Sequence, residues 1–467
     1  MSLYNIIDKH MLLPIGDMVY RSNINTQWER LKRTEFVSKT DLTELQNTKL
    51  RKLIHHCYNT VPYYHELFCK LNLSPTDIQC QEDLCKLPVL TKQTIRDNYE
   101  SLFSTTIDKR YRRTSSTGGS TGTPLQFCTD KREWSLQRAA TLRAWDGYGI
   151  HLGDKIFSLG GSSITSKREI LSLKGVYDLV IMRNHKYSSS VVDDISQQKH
   201  LEAFHKIKPK AIRGYGSSLV VFARYLKKIG YSPENIIAVL TTGEVLLPTY
   251  RKELEDVFNA PVFDAYGASD GGIVSHECQN HNGLHISEEL CIIEITDKLG
   301  NRLPDGDIGF VTTTDLENYV FPFLRYHVGD MSYIKQKPCT CGRHSRQLGE
   351  VMGRAGKLLY NKQGVPLSPT MLPIMLYPDL NYHSIENQKL YNQIDQFQIR
   401  QDILGNIHIL LKMKDPYKDT PLRNSIIENY KKHFTGSDIT LEIVDTIPTL
   451  PSGKEDYCVS EYEQFSV

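Results

Sequence analysis

The alternation of apolar and polar positions divides the chain into three parts. Up to about residue 100 apolar residues recur three and four positions apart, as in LQNTKLRKLIHHCYNT, which predicts helices. From Ser115 to about Asp330, short apolar runs such as KIFSLGG and IIAVLTTGE alternate with helical stretches such as SSLVVFARYLKKIG. This alternation predicts an α/β fold with a mostly parallel sheet, whose ligand crevice lies at the carboxyl ends of its strands.

The pattern changes after Gly353, where a smaller α+β unit is predicted. The runs IDQFQIRQD and NIHILLKMK flank Ile403-Leu404-Gly405 as the two strands of a hairpin. PLRNSIIENYKKHF has the spacing of an amphipathic helix, and ITLEIVDTI that of a closing strand. We therefore predict a large domain over residues 1–352 and a small one over residues 353–467.

Composition and charge narrow the classes of protein that the chain can represent. With 467 residues and 40% hydrophobic content, it can bury cores large enough for an enzyme. Lys and Arg number 56 against 54 Asp and Glu, and a formal charge of +2 does not favour nucleic acid or an anionic membrane as a partner. No apolar run approaches the roughly 20 residues of a membrane span, and the N-terminus lacks the cationic start of a signal peptide. We expect a cytoplasmic protein whose partners are small molecules or proteins.

The segment SSTGGSTGTP, residues 115–124, combines three glycines with six hydroxyl side chains and carries no charge. Glycine adopts positive φ at no steric cost, and successive N–H groups in such turns form a concave site for an anion. A flexible linker is the alternative, but the flanking sequence is rich in apolar residues. A kinase-type phosphate loop would need Lys after its last glycine, whereas Gly122 precedes Thr123-Pro124. We predict that polyphosphate binds at Ser115, Ser116, Thr117, Gly118, Gly119, Ser120, Thr121 and Gly122.

Two predicted strand ends carry further candidates. LTTGEVLLP ends a strand at the turn 241–244, which would expose backbone groups to a ligand. FDAYGASDGG presents Tyr266, Ser269 and Asp270 beside three glycines. An aromatic face stacks on a base, a hydroxyl binds an α-phosphate, and a carboxylate holds Mg²⁺ together with substrate phosphates. A core tyrosine followed by a tight loop would have the same sequence pattern.

Three later positions fit a nucleotide site as well. FPFLRYHVGD ends at Asp330, whose carboxylate suits two ribose hydroxyls, although a surface turn also favours aspartate. GEVMGRAGKLL carries Arg354 and Lys357 beside glycines where the composition changes, as a hinge or a plain interdomain linker would. In IPTLPSGKEDY two prolines stiffen the approach to Lys454. Its ammonium suits a developing phosphoryl charge, whereas most lysines in such loops are only solvated.

A separate group of Cys and His residues predicts a metal site. Ten cysteines in 467 residues are too few for a disulfide scaffold, so clustered ones are better interpreted as metal ligands. PCTCGR places Cys339 and Cys341 in a tight turn, and HECQNHNGLH offers Cys278 with either His281 or His285. Three thiolates and one imidazole form a closed zinc tetrahedron, which would pin two loops rather than catalyse. Ordinary reduced thiols are the alternative.

Taken in order along the chain, these motifs resemble the adenylate-forming superfamily, and more closely its branch of phenylacetate-CoA ligases and capsular-polysaccharide biosynthesis proteins. VPYYHELF and LPVLTKQTIRDNY are similar to the N-terminal region of that branch, so the resemblance spans most of the chain. It implies a large N-terminal domain of several sheets and a small mobile C-terminal domain. It also implies ATP-dependent activation of a carboxylic acid as an acyl-AMP, with release of pyrophosphate.

The resemblance assigns the nucleotide-binding positions. It implies that the loop 115–124 holds the β- and γ-phosphates, that Tyr266 contacts adenine and that Ser269 lies near the α-phosphate. Asp330 would hold the ribose. The other ATP contacts that it implies are Gly243, Glu244, Asp264, Ala265 and Gly267.

The resemblance also implies catalysis by Lys454, which would bridge carboxylate, ribose and α-phosphate, and by Asp270, which would bind Mg²⁺. Asp270 stands where the family usually has the longer glutamate, so Mg²⁺ would bind it through water. His327 occupies a position that is commonly arginine, and Lys357 one that is commonly acidic. The Gly-Leu-His pattern of the family favours His285 as the fourth zinc ligand.

The expected reaction ends with transfer of the acyl group to an acceptor, which is a CoA thiol, an amine or a sugar hydroxyl. Surface-polysaccharide biosynthesis is the setting that the resemblance suggests. Transfer of AMP to a cofactor or other acceptor is one alternative, and a nucleotide-binding homologue without catalysis is another. Asp270 and His327 favour the inactive homologue, and the Ser-Gly-Lys turn at Lys454 argues against it. The acid and the oligomeric state do not follow from the sequence.

Overall fold

The computed structural model describes residues 3–116, 125–160, 173–189, 194–354, 359–363, 366–367, 372, 375–376, 394–414, 420–448 and 456–462. The first hundred residues are largely helical, as predicted. The helices are α1 (Leu3–Ile7), α2 (Leu13–Tyr20), α3 (Ile24–Thr34), α4 (Lys39–Thr60), α5 (Pro62–Lys70), α6 (Lys92–Asp97), α7 (Lys131–Gly147), α8 (Leu173–Val180), α9 (Asp194–Ile207), α10 (Gly216–Lys228), α11 (Pro248–Phe258) and α12 (Thr420–His433). A π-helical turn, Asp8–Leu12, joins α1 to α2.

The strands of the described residues form five sheets. They are β1 (Arg113–Ser116), β2 (Gln126–Thr129), β3 (Ile156–Gly160), β4 (Asn184–Ser188), β5 (Ala211–Gly214), β6 (Ala238–Thr242), β7 (Val262–Ala268), β8 (Ile273–His276), β9 (Leu284–Ile286), β10 (Cys291–Thr296), β11 (Gly309–Asp315), β12 (Tyr326–Ser332), β13 (Gln347–Leu348), β14 (Gly353–Arg354), β15 (Leu359–Tyr360), β16 (Pro366–Leu367), β17 (Ile394–Gln401), β18 (Ile407–Met413), β19 (Ile439–Ile443) and β20 (Cys458–Ser460).

The largest sheet has the order β13-β9-β8-β7-β6-β5-β3-β4. Strands β4, β3, β5, β6 and β7 run parallel, and β8, β9 and β13 extend the sheet antiparallel. The four predicted strands β3, β5, β6 and β7 are therefore adjacent, and helices connect β5 to β6 and β6 to β7. Their carboxyl ends meet at one edge of the sheet, which confirms the predicted α/β architecture.

Apolar side chains cover both faces of this sheet because the strands are buried between helices. Phe157 and Val239 pack on one face with apolar residues of α9, α10 and α11. Ile156 and Ala238 face the other side, where they join residues of α3 and α7. Near-continuous apolar strands are what a parallel sheet covered on both faces requires.

A second sheet, of order β10-β11-β12-β14, is antiparallel throughout. At one end of β12, the guanidinium of Arg325 is 2% exposed and donates to both carboxylate oxygens of Glu294 at 3.0 Å. It also donates to the carbonyl oxygens of Leu87 and Gly300, at 2.7 Å each. This paired network fixes the strand that carries Asp330 against the helical N-terminal region.

The C-terminal sheet has the order β19-β18-β17-β20. The predicted hairpin is present as β17 and β18, and β19 closes one edge by pairing parallel to β18. The other edge is closed by β20, which the sequence pattern did not reveal. This sheet shares an apolar cluster with the helices beside the large sheet. Hydrogen bonds join them as well: Arg224 of α10 donates to the carbonyl of Asp395 at 3.1 Å, and the Tyr457 hydroxyl donates to the carbonyl of Val245 at 3.4 Å.

Candidate nucleotide and metal sites

The turn after β6 and the last residues of β7 lie side by side at the carboxyl edge of the large sheet. The strands are parallel, and Thr242 pairs with Ala265, so the predicted turn 241–244 lies beside Tyr266 and Gly267. Gly243 has a φ of 77°, which glycine adopts without strain. Gly267 and Ser269 are exposed, and Ala265 is half-buried. The structure thus brings these predicted ATP-binding positions together along one crevice.

Glu244 anchors the β6 turn to the helix that precedes it in the chain. Its carboxylate accepts hydrogen bonds from the backbone N–H and the hydroxyl of Ser217, both at 3.0 Å. Ser217 is the second residue of α10, where backbone N–H groups favour a carboxylate. Sequence analysis did not single out Ser217, whose pairing with Glu244 depends on the sheet order.

Asp264 binds neighbouring parts of the same sheet. One of its carboxylate oxygens accepts a hydrogen bond from the Thr241 hydroxyl at 2.7 Å, and its backbone N–H donates to Glu277 at 3.0 Å. Burial raises the pKa of Asp264 to about 7. The Asp264 side chain therefore adds a link between β6 and β7 beyond their backbone pairing.

Tyr266 and Asp330 meet across the gap between the two large sheets. The Tyr266 hydroxyl donates to Asp330 Oδ2 at 2.9 Å, although the residues are 64 positions apart. Asp330 is 9% exposed and follows Gly329, which has a φ of 96°. Asp330 also pairs with Arg354 in the register of β12 and β14. The predicted adenine and ribose contacts are thus neighbours, and the backbone of the predicted hinge residue lies beside them.

Asp270 lies in a tight turn that two glycines make possible. Its carboxylate is 6% exposed and accepts a hydrogen bond from the Tyr326 hydroxyl at 2.9 Å. Gly271 has a φ of 123°, and a β-carbon there would lie 2.4 Å from Thr313 Cγ2. The Thr313 hydroxyl donates to the Gly271 carbonyl at 2.9 Å. The turn is therefore fixed from both sides by the antiparallel sheet.

Tyr326 is a second residue that sequence analysis missed. It lies four positions before Asp330 on the same strand, so alternation places both side chains on one face of β12. The four-residue spacing of Tyr326 and Asp330 is the sequence signal that could have revealed Tyr326. His327 points the other way, with its Nε2 3.1 Å from the Thr296 hydroxyl and its ring 4.8 Å from Phe310. Burial lowers the pKa of His327 to about 4, so its ring is neutral. The histidine that replaces the usual arginine of the family therefore lies on the face of β12 opposite Asp330.

The structure describes only part of the predicted phosphate loop and hinge. Ser115 and Ser116 end β1, paired with Phe127 and Gln126 of β2. The rest of the predicted phosphate loop, Lys357 and Lys454 lie outside the described residues, and Arg354 is described by its backbone in β14 only.

The predicted metal ligands converge from three separate segments. The ligand atoms of Cys278, His285, Cys339 and Cys341 all lie within 4.8 Å of one another. Cys278 Sγ lies 3.6 Å from Cys339 Sγ, and Cys341 Sγ lies 3.3 Å from His285 Nε2. His285 Nδ1 lies 3.0 Å from the Ser345 hydroxyl, which orients the ring and leaves Nε2 towards the thiols. Burial lowers the pKa of His285 to about 4, so the imidazole is neutral and able to bind a metal.

His281, the alternative ligand, makes different contacts. Its Nδ1 lies 3.1 Å from Glu277 Oε2, and its ring stacks on Phe263 with centroids 4.9 Å apart. The structure therefore groups His285, and not His281, with the three cysteines. The loop of Cys341 also reaches the N-terminal region, because Arg343 donates to Glu35 from Nε at 3.0 Å.

The chain is similar in sequence to known proteins. The family model described as CapK C-terminal domain matches residues 382–461. Protein CapK of Staphylococcus aureus is 24% identical over 98% of this chain and 98% of its own length. The phenylacetate-coenzyme A ligase of Thermus thermophilus is 26% identical over 73% of this chain and 76% of its own. The chain is a relative of these proteins. The resemblance drawn from the motifs is therefore confirmed.

Solved structures show the same fold. A 2-hydroxyisobutyryl-CoA ligase in the postadenylation state, in complex with R3-HIB-AMP, superposes with a TM-score of 0.74 at 16% identity, over 93% of this chain and 92% of its own. An anthranilate CoA ligase in complex with anthranoyl-AMP gives 0.54 at 12% identity, over 73% and 65%. The predicted fold, that of an adenylate-forming ligase, is confirmed. No helix in the described part of the chain is long and apolar enough to cross a membrane.

Proposed function

We propose that the protein converts a carboxylic acid into an acyl-AMP at the expense of ATP, releases pyrophosphate, and transfers the acyl group to the thiol of CoA. The observation that carries this proposal is the contact of Tyr266 with Asp330 beside the Asp270 turn. An aromatic ring therefore contacts one carboxylate, and a second carboxylate follows four residues after Tyr266, within a fold shared with adenylate-forming ligases. An aromatic ring suits adenine, a carboxylate suits a ribose diol, and a second carboxylate suits the Mg²⁺ of a Mg-ATP substrate.

The described residues fit a nucleotide because the carboxylates of Asp330 and Asp270 are already held in place. Asp330 is nine-tenths buried, so hydrogen bonds that it accepts from ribose hydroxyls are little weakened by competing water. Asp270 is held by Tyr326 and by the tight Gly271 turn, which fixes the position that it would offer to Mg-ATP. The exposed Ser269 directly precedes Asp270 in the chain and would supply a hydroxyl for the α-phosphate.

The electrostatic part of the reaction is assigned to residues that the sequence pattern predicts. Attack of the acid on the α-phosphorus breaks the bond to pyrophosphate and gathers negative charge in the transition state. The ammonium of Lys454 would neutralise that charge, and the backbone of the loop 115–124 would hold the departing pyrophosphate. We propose that residues 1–352 bind the nucleotide and that residues 353–467, hinged near Arg354 and Lys357, carry Lys454 to it. The match of the CapK C-terminal domain to residues 382–461 supports that division.

Product analysis with a panel of aryl, fatty, amino and sugar-derived carboxylic acids tests the proposal. With ATP and Mg²⁺, we expect pyrophosphate and an acyl-AMP from at least one acid, and AMP together with an acyl-CoA of the matching mass when CoA is present. Release of pyrophosphate with AMP attached to a non-acyl acceptor would instead show adenylyl transfer. Binding of ATP without turnover of any acid would show an inactive homologue. The resemblance to capsular-polysaccharide proteins leads us to include acids derived from surface sugars and to propose that setting.

We also propose that the Cys278, His285, Cys339 and Cys341 group binds a structural zinc ion. Zinc bonds of about 2.3 Å to sulfur in a tetrahedron separate two sulfurs by roughly 3.8 Å, close to the observed 3.6 Å. Four protein ligands leave no position for water, so the ion would fasten three segments and not take part in the reaction. Through Arg343 and Glu35 it would also fix the loop against the N-terminal region.

Replacing one ligand should release the metal and loosen this junction. For Cys339→Ser, we expect the zinc content to fall from one ion per chain to near zero and the unfolding temperature to decrease, because metal binding contributes directly to folding free energy. Elemental analysis and thermal unfolding measure the two effects. Cys69→Ser, which changes an exposed cysteine outside the group, is the matched control and should keep both values. A wild-type protein that stays free of zinc after zinc is added would contradict the proposal.

A further inference from the structure

The first helical segment of the chain is apolar on its outward face, whereas its buried residues include Asn5, Asp8 and Asp17. Helices α1 and α2 run on through the π-helical turn, since Ile7 and Leu12 at the junctions keep right-handed helical backbone angles. The inner face packs closely on the domain: a β-carbon at Gly16 would lie 2.0 Å from Ile181 Cδ1. Asn5 donates to the Leu152 carbonyl at 2.7 Å. The segment is therefore docked in a defined orientation.

Almost every exposed position of this segment is apolar. Of the eight exposed residues between Leu3 and Tyr20, only His10 is polar. The exposed fractions reach 74% at Leu3 and 73% at Met18. The exposed apolar residues are Leu3, Ile6, Ile7, Met11, Ile15, Met18 and Val19. The apolar face of an amphipathic helix is normally packed against another surface.

The neighbouring helix α8 extends the same surface. Among the residues of α8 whose side chains the structure describes, the exposed ones are Val176, Leu179 and Val180, at 49%, 43% and 43% exposure. The two helices touch: the Tyr4 hydroxyl donates to the Val180 carbonyl at 3.1 Å. We call these three residues and the seven exposed apolar residues of α1 and α2 the N-terminal apolar face.

The size of this face is that of one side of a protein interface. Its ten side chains expose roughly 900 Å², compared with about 800 Å² buried by each partner in a typical stable complex. The largest apolar patch on an ordinary monomer is about 300–600 Å². An area of this size, left in water, favours association.

The charge pattern favours another protein surface over a membrane. Helices that lie on membranes carry Lys and Arg around their apolar face. Here Lys9 is paired with Glu29 at 3.0 Å, Arg183 lies over the ring of Tyr4, and Arg21 is exposed at the end of α2. The ten side chains of the face itself carry no charge, so it can pair with an identical face around a two-fold axis without opposing like charges. We propose that the N-terminal apolar face is a homodimer interface, covered by the same face of a second copy of this chain.

Sedimentation velocity of the full chain over a hundredfold range of concentration tests this proposal. We expect wild-type protein at twice the mass of one chain. The double variant Ile15→Glu with Met18→Glu should weaken dimerisation by about 100-fold or more, since it buries charge at the centre of the interface. Its far-UV circular dichroism should match wild type, because both side chains are exposed in the single chain.

A matched double variant separates this face from exposed apolar residues in general. Leu299→Glu with Leu404→Glu changes side chains that are 86% and 68% exposed in the β10–β11 and β17–β18 turns, and it should remain dimeric. Wild-type protein at the mass of one chain throughout would overturn the proposal. So would a dimer that persists in the Ile15→Glu, Met18→Glu variant, or a single chain that uses this face to cosediment with phosphatidylcholine vesicles.

Discussion

Replacing Lys454 with alanine is expected to lower acid-dependent ATP–pyrophosphate exchange by about 10²–10³-fold while ATP still binds. The ammonium is assigned to charge that develops on the α-phosphate only in the transition state, so its loss should reduce turnover more than ground-state affinity. Exchange of labelled pyrophosphate into ATP measures the first quantity, and equilibrium binding of ATP measures the second.

Lys431→Ala is the control for this experiment. Lys431 lies on α12 in the same C-terminal part of the chain, is about half exposed and pairs with Glu428, so its removal should leave exchange unchanged. Equal exchange in the Lys454→Ala variant and wild type would remove Lys454 from the mechanism. The nucleotide site at Tyr266 and Asp330 is tested separately, by the Asp330→Ala variant.

Replacing Asp330 with alanine is expected to lower kcat/KM for ATP by about 10–100-fold. A hydrogen bond to a charged group contributes about 1.5–3 kcal/mol, and the carboxylate here is shielded from water. Because the ribose is bound in both the ground state and the transition state, most of the loss should appear as a higher KM for ATP. Steady-state kinetics with the best acid from the product analysis measures both constants.

Tyr266→Phe is the matched variant for Asp330→Ala. It removes the hydroxyl that donates to Asp330 but keeps the ring proposed to contact adenine. We expect kcat/KM for ATP within about threefold of wild type, since that hydroxyl is exchanged for a ribose hydroxyl when the nucleotide binds. Similar large losses in both variants would indicate that the pair supports the fold, and unfolding temperatures would then differ from wild type.

The sequence pattern predicted the helices and strands better than the contacts between them. Strands β3, β5, β6 and β7 follow from short apolar runs, because a parallel sheet buries both of its faces. Strand β20 was missed because Cys458–Ser460 is too short to show a period. The contact of Tyr266 with Asp330 joins different sheets, and no local periodicity encodes such a pairing.

The sequence pattern also could not decide which histidine belongs to the metal site. Spacing alone allowed His281 or His285, and only the resemblance favoured His285. The structure groups His285 with the cysteines because β9 pairs with β13, bringing His285 opposite Gln347 near the Cys339–Cys341 turn. The outward apolar face of α1 and α2 could not be predicted either. The usual pattern turns apolar side chains inward, whereas this segment buries Asn5, Asp8 and Asp17.

Isotope transfer from the acid tests the central claim most directly. With an acid labelled by ¹⁸O in both carboxylate oxygens, attack on the α-phosphorus places one labelled oxygen between the acyl carbon and the phosphate. Cleavage of the carbon–oxygen bond by CoA then leaves that oxygen on AMP. We predict AMP carrying one ¹⁸O atom for each acyl-CoA formed, measured by mass spectrometry. Unlabelled AMP, or label in inorganic phosphate, would contradict the account.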